Sequence, residues 1–236
     1  MLNPKEEAKI KQLKKAMGAL KMAPSPEVFI GIKVHDRNGI LLLDDIERGH
    51  SWTRNFYNYL YLAQAEGKGD GGSTFGAGYI SSKQTNATVV ASATVNQGRT
   101  SITLLGNGFI DTSVNTGIRV GTGNTAFSIN DHVLDSPVAN GNASGQLSYQ
   151  AMGSPTQSYD AGSKTWTNIH SRIMNNNSGD TIIVAETGLY WIGSICSNPS
   201  LIFMFERNVL DLPVSLINGA QLTVSYTISV DFSTID

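Results

Sequence analysis

Residues 222–232 read LTVSYTISVDF. Leu222, Val224, Tyr226, Ile228, Val230 and Phe232 are apolar or aromatic, and Thr, Ser or Asp fills every position between them. Successive side chains of a strand point to opposite faces, so this alternation requires a strand with one face on a core and the other toward water. A chain that ends this way must supply a second apolar layer to cover that face.

Composition agrees with such layers. Charged residues make up 15% of the 236-residue chain and there are 24 glycines; an average globular chain carries about 25% charge. Low charge with abundant Gly, Ser, Thr and Asn suits short strands joined by tight turns. The formal net charge of −2 gives no global attraction for nucleic acid. A single cysteine, Cys196, cannot close an internal disulfide. The opening MLNPKEEAKIKQLKKAMG has charges throughout and no apolar core of a secretory signal, and no run approaches the ~18 apolar residues of a membrane span. The expectation is a soluble protein made in a reducing compartment.

Nine of the seventeen basic residues lie in residues 1–50: Lys5, Lys9, Lys11, Lys14, Lys15, Lys21, Lys33, Arg37 and Arg48. Among them Ile10, Leu13, Met17 and Leu20 recur at helical spacing, and APSP at 23–26 stops the pattern. The spacing predicts an amphipathic helix over 5–21, within an N-terminal arm of residues 1–26. Its apolar stripe is narrow, and an isolated helix of this length is marginal in water. It is expected to dock on its own domain, a neighbouring copy or another protein; the alternative is a frayed, solvated end.

Residues 27–46 predict a hairpin, with DRNG as the turn and Asn38-Gly39 able to reach positive φ. The period then changes. Trp52, Phe56, Tyr59, Leu60 and Ala63 fall on one helical face, Ser51 or Thr53 can cap its start, and Gly67 ends it. This aromatic helix should pack on a sheet or on another subunit, and 27–66 is expected to be a docking region. GKGDGGSTFGAG at 67–78 reads as a glycine-rich linker. Beyond it come strand-like runs at 87–95, 100–105, 117–121, 147–151, 165–174, 181–185, 188–195, 200–206, 214–217 and 221–232, with Gly/Asn-rich turns between them. The expected fold is mainly β: an antiparallel, jelly-roll-like β-sandwich over 79–236.

The standard catalytic sites find little support. RVGTGNTAF lacks the third glycine of a dinucleotide loop and the Gly-Lys-Ser/Thr of a phosphate loop, and reads as a turn. His35, His50, His132 and His170 have no ligand spacing. His170 has the opposite parity to Ile169 and Ile173 and is expected to face water. Asp44, Asp45 and Glu47 read as a solvated rim. Asp111, Asp131 and Asp135 flank turns without a calcium-loop pattern. Cys196 reads as an inert buried thiol. No enzyme, cofactor or metal site is expected.

Glu186 and Arg207 differ from these residues. Each interrupts an apolar strand, in IIVAETGLY and IFMFERNVL. A buried charge is costly unless paired, so the two are expected to form a structural pair across adjacent strands.

Three segments carry a resemblance: GIRVGTGNTAFSINDHVLDSPVANG…GQLSYQ, SRIMNNNSGDTIIVAETGLY and FERNVLDLPVSLINGAQLTVSYTISV. Together with GHSWTRNFYNYLY, they resemble a module of structural proteins of tailed bacteriophages. The matching positions are Asn177, Ser178, Gly179, Glu186, Gly188, Leu189, Tyr190, Arg207, Val209, Pro213, Val214, Gly219, Leu222, Val224, Tyr226 and Ile228. The resemblance spans residues 48–62 and 116–230. It implies a virion protein, assembled in the host cytoplasm, without implying a mechanism. The expected function is a non-enzymatic accessory, decoration, collar or tail-attached component. Its partners would be copies of itself and other virion proteins, with neither nucleic acid nor membrane. Leu13, Met17, Leu20, Trp52, Phe56, Tyr57, Tyr59 and Leu60 are the expected interface. The alternative is a virion-surface module that binds a host glycan or receptor through Trp166, Trp191, Tyr149 or Tyr159.

Overall fold

The computed structural model describes residues 26–49, 52–58, 80–86, 88–92, 115–195 and 198–233. The expected 5–21 helix with Leu13, Met17 and Leu20 lies outside these residues. So do Tyr59, Leu60, the 67–78 linker and the 100–105 strand.

The described chain is an antiparallel β-sandwich. Its first sheet is built on β1 (Glu27–His35), β2 (Leu41–Arg48), β6 (Ser148–Tyr149), β7 (Thr156–Asp160), β8 (Thr165–Asn175) and β11 (Gln221–Asp231). They run in the order β2-β1-β11-β8-β6, with β7 also paired to β8. The second sheet orders β10 (Asn198–Leu216), β9 (Ile182–Ile195) and β5 (Gly117–Gly121). A separate hairpin joins β3 (Ile80–Lys83) and β4 (Val89–Ser92).

The C-terminal alternation sets the first sheet. Leu222, Val224, Tyr226 and Ile228 are fully buried, and the intervening Ser and Thr are partly exposed. The register places Val28, Ile30, Ile32 and Val34 of β1 beside Ile228, Tyr226, Val224 and Leu222, so both strands present the same inward apolar rows. From the second sheet, Ile118, Val120, Val184, Leu189, Phe203, Phe205 and Leu216 complete one core with these rows. The 27–49 hairpin is therefore part of the main sheet, and the sequence boundary between a 27–66 docking region and a 79–236 sandwich does not divide it. The physical reason is that β11 is left unpaired on one side unless β1 lies against it.

β8 corrects a parity argument. Ile169 and Ile173 face outward, whereas Asn168, His170, Arg172 and Met174 face in and are buried. His170 sits opposite Tyr226 and does not face water. Apolar residues marked the wrong face because the inward row of β8 performs polar work. The Arg172 guanidinium donates to the carbonyls of Gln150, Thr116 and Ile118 at 2.9, 2.6 and 3.1 Å, and lies 5.1 Å from the Tyr149 ring centre. It bolts β8 of one sheet to β5 of the other.

β9 and β10 are each continuous where the sequence suggested breaks at 185–188 and 206–214. Their ladder slips between Met204 and Glu206 and again between Val209 and Val214. The first slip changes parity, so Phe203, Phe205 and Glu206 reach the inter-sheet side while Met204 and Arg207 reach the back of the sheet.

Candidate functional site

Behind the second sheet, residues 122–136 form a long loop held by one buried carboxylate. Glu186 accepts hydrogen bonds from the backbone amides of Gly123 (3.3 Å), Asp135 (3.1 Å) and Ser136 (2.8 Å). Arg207 Nε donates to Glu186 Oε2 at 2.8 Å; Nη1 donates to Asp131 Oδ2 at 2.8 Å and Nη2 to the Thr125 carbonyl at 3.0 Å. Glu186 and Arg207 therefore face each other, with Asp131 as a third partner that sequence reasoning had placed only beside a turn. Tyr190 Oη accepts from the Leu134 amide at 2.8 Å, and Leu134, Tyr190 and Met204 form a second small core. The hydrogen bonds of this cluster run to loop backbone or to another charge, which makes it a structural clamp.

A second buried polar group lies between the sheets. Tyr226 Oη, 2.7 Å from Thr187 Oγ1, donates to Glu206 Oε2 at 2.8 Å. Glu206 is fully buried, and desolvation raises its pKa to about 8. Sequence reasoning missed Glu206. The only available signal was its place next to Arg207 in FMFER, and a bulge was needed to turn it inward.

The aromatic segment docks on its own chain. Residues 54–58 form a helical turn. Thr53 Oγ1 donates to the Met204 carbonyl at 2.7 Å, its amide donates to Phe205 O, and Asn55 exchanges hydrogen bonds with Lys83. Trp52 stacks on Phe56 at 3.8 Å, and Phe56 packs edge-on against Phe205 at 5.9 Å. Phe56 is buried in this contact and is not a free interface residue; Trp52 is half-buried, with Nε1 donating to the Pro26 carbonyl, and Tyr57 is exposed. The apolar surface that covers Phe56 is supplied by strand β10 of the same chain.

The exposed chemistry concentrates on β2. Asp36 accepts the amides of Asn38 and Ile40, both at 2.8 Å, which closes the β1–β2 turn. The Ile40 amide is the main reason the Asp36 carboxyl lies below its ordinary value. Gly39 sits there at φ 79°, the conformation that the Asn38-Gly39 pair predicted. The strand itself has Leu41, Leu42 and Ile46 exposed by 49%, 57% and 70%. Asp44 pairs with Lys33 at 2.9 Å, and Asp45 is exposed. Glu47 turns inward instead, accepting from Asn208 Nδ2 and from the Asp211 amide. That contact brings Asp211 and Leu212, itself 75% exposed, beside the strand. Among the described residues no strand pairs with the outer edge of β2. The hairpin pattern of 27–46 does not by itself mark this edge; the signal for it in the sequence is the excess of Leu in LLLDDI.

Of the aromatics considered for glycan binding, Trp191 and Tyr149 are buried. Tyr159 is exposed and lies opposite Trp166 in the β7–β8 ladder. A pocket of about 380 Å³ opens between the turns at 36–39 and 217–219, lined in part by His35, Arg37, Asn175 and Gln221. No described helix is long and apolar enough to cross a membrane. Comparison with known protein families, with curated proteins and with solved structures returns no match for this chain.

Proposed function

We propose that this protein is a non-enzymatic structural component of a tailed-phage virion that assembles as a homo-oligomer through its N-terminal region and its β-domain. The observation that carries the assembly reading is the β2 edge, where three strongly exposed apolar side chains sit on a strand that, among the described residues, has no strand paired to its outer side. The buried clamps on the other sheet support a rigid part suited to repeated packing. The virion reading rests on the sequence resemblance. Native mass measurement tests the first statement: a defined oligomer is expected, and a monomer at micromolar concentration overturns it. Labelled protein supplied to assembling phage particles tests the second; recovery only in the soluble fraction counts against it.

One observation favours a second reading, a surface module that binds glycan. Tyr159 exposes a ring beside Trp166, and aromatic faces stack on sugar rings. Glycan-array binding that is lost in Tyr159→Ala supports it, and an array without signal removes it.

A further inference from the structure

The pocket between the turns at 36–39 and 217–219 is polar throughout. Its floor is a row across three strands. His35 of β1, Gln221 of β11 and Asn175 of β8 lie side by side in register, next to the inward-facing Val34, Leu222 and Met174, and so point outward. Gln221 Nε2 donates to Asn175 Oδ1 at 3.0 Å, which leaves Asn175 Nδ2 as a donor and Gln221 Oε1 as an acceptor. Asp36 and Arg37 of the β1–β2 turn form a wall. The stem of Arg37 lies over Gly219, where a Cβ would sit 3.2 Å from Arg37 Cβ and 3.9 Å from its Cδ.

The two charges of this wall differ in their commitments. The Asp36 carboxylate accepts the Asn38 amide, the Ile40 amide and Asn38 Nδ2, so it is engaged in closing its own turn. The Arg37 guanidinium makes no hydrogen bond or ion pair among the described residues. Its planar fork matches a carboxylate bidentately. With Asp36 alongside, a singly charged anion suits the site better than a phosphate dianion, whose second charge would meet the Asp36 carboxylate. The free donor of Asn175 and the free acceptor of Gln221 are the pair that one hydroxyl group satisfies. The volume of about 380 Å³ falls among small-molecule sites, about 300–1,000 Å³, and exceeds what a carboxylate alone would fill. None of the described lining residues is Trp, Tyr or Phe, so hydrogen bonds rather than ring stacking would hold the ligand.

We propose that this pocket binds a hydroxycarboxylate, with the carboxylate on Arg37 and a hydroxyl on Asn175 and Gln221. Two sources share that chemistry: a sugar acid such as glucuronate, and a small free hydroxy acid such as lactate. The site is separate from the Tyr159–Trp166 surface. Gln221 marks one and Val230, the partner of Trp166, marks the other, about 30 Å apart along β11 at roughly 3.3 Å per residue. The proposal stands whether or not that surface binds glycan and whether or not the chain oligomerises.

NMR titration of the full-length protein with glucuronate, lactate, glucose, acetate and inorganic phosphate tests this. Glucuronate or lactate is expected to give saturable shifts at the amides of residues 35–39 and 219–221. Arg37→Gln changes an exposed side chain, so it should keep the wild-type melting temperature and lose at least about tenfold in affinity. Asn175→Ala/Gln221→Ala should weaken the hydroxycarboxylate about threefold or more and leave acetate unaffected. Tighter binding of glucuronate assigns the sugar acid, and tighter binding of lactate the free hydroxy acid; either order supports the proposal. It is overturned if neither hydroxycarboxylate gives saturable shifts, if Arg37→Gln binds as well as wild type, or if glucose, acetate or phosphate binds as tightly as the better hydroxycarboxylate.

Discussion

The Tyr226 hydroxyl of β11 donates a 2.8 Å hydrogen bond to Glu206 Oε2 of β10, and so links the two sheets through the middle of the core. Tyr226 belongs to the alternating run that specifies the first sheet. Its ring is therefore a core residue and its hydroxyl an inter-sheet contact. The carboxyl it meets is fully buried, and among the described atoms Glu206 Oε1 has no hydrogen-bond partner.

That burial makes stability depend on pH. Desolvation holds the Glu206 pKa at about 8, above the ordinary 4.5, against the opposing pull of the Tyr226 hydrogen bond and Arg207 and with the help of Glu47. Between those two values the folded chain keeps a proton that the unfolded chain releases. The contribution is complete below 4.5 and is lost as pH rises through 8. Calorimetry from pH 4 to 9 should show Glu206→Gln gaining melting temperature relative to wild type as pH rises. Parallel curves for the two proteins would remove this assignment.

Breaking the Glu186–Arg207 pair from one side leaves a buried charge without compensation. Arg207→Met should cost about 3–5 kcal/mol in urea unfolding. Glu186→Met/Arg207→Met should cost less than the sum of the two single changes, because the desolvation penalty falls on both partners together. Additive effects would mean that the two side chains act independently.

The loop clamp also leaves no room at its base. A Cβ on Gly121 would collide with Glu186 Oε1 and lie 2.7 Å from the Ser136 carbonyl. Gly121→Ala is expected to destabilise by about 1–3 kcal/mol through overpacking. It should also speed hydrogen exchange at the amides of Asp135 and Ser136, which Glu186 otherwise accepts. Unchanged exchange at both amides would show that the loop does not depend on this carboxylate.

Phe56 and Tyr57 are adjacent and should behave oppositely. Phe56→Ala removes a buried ring from the Trp52–Phe205 contact and should cost about 3–5 kcal/mol at any protein concentration. Tyr57→Ala, at a half-exposed ring, should change stability by roughly 0.5 kcal/mol or less. A melting temperature for Phe56→Ala that recovers with concentration would return Phe56 to an intermolecular interface.

Arg172 offers a test of geometry over charge. Its Nε and Nη1 reach three carbonyls on two elements, a fork that an ammonium cannot reproduce. Arg172→Lys should therefore destabilise by about 1.5–3 kcal/mol despite keeping the charge. Equal stability of the two proteins would mean that the charge alone suffices.

Much of the architecture was legible in the chain. The alternation appears as β11 with its even row inward from Leu222 to Val230, while Phe232 lies beyond the strand and is exposed, and DRNG closes β1 onto β2 at the expected residues. Glu186 and Arg207 stood out because charges in apolar runs require partners. His170 misled, because parity assigns two faces and does not say which one is covered. The two exposed isoleucines of β8 resembled a core row, and the true inward row was polar. Strand β7, TQSYD, is exposed throughout and has no apolar pattern to detect.

Sequence by itself determined that the chain would form layered antiparallel strands, where the β1–β2 turn would close, and which two charges needed company. These follow from local rules: the two-residue period of a strand, the positive φ open to glycine, and the cost of an uncompensated charge. The tertiary structure alone decided that β1 completes the sheet beside β11, that a slip in β10 sends Glu206 inward and Arg207 outward, and that Leu42 and Ile46 remain exposed. Those outcomes depend on which distant segments cover which faces, a property of packing that no local period encodes.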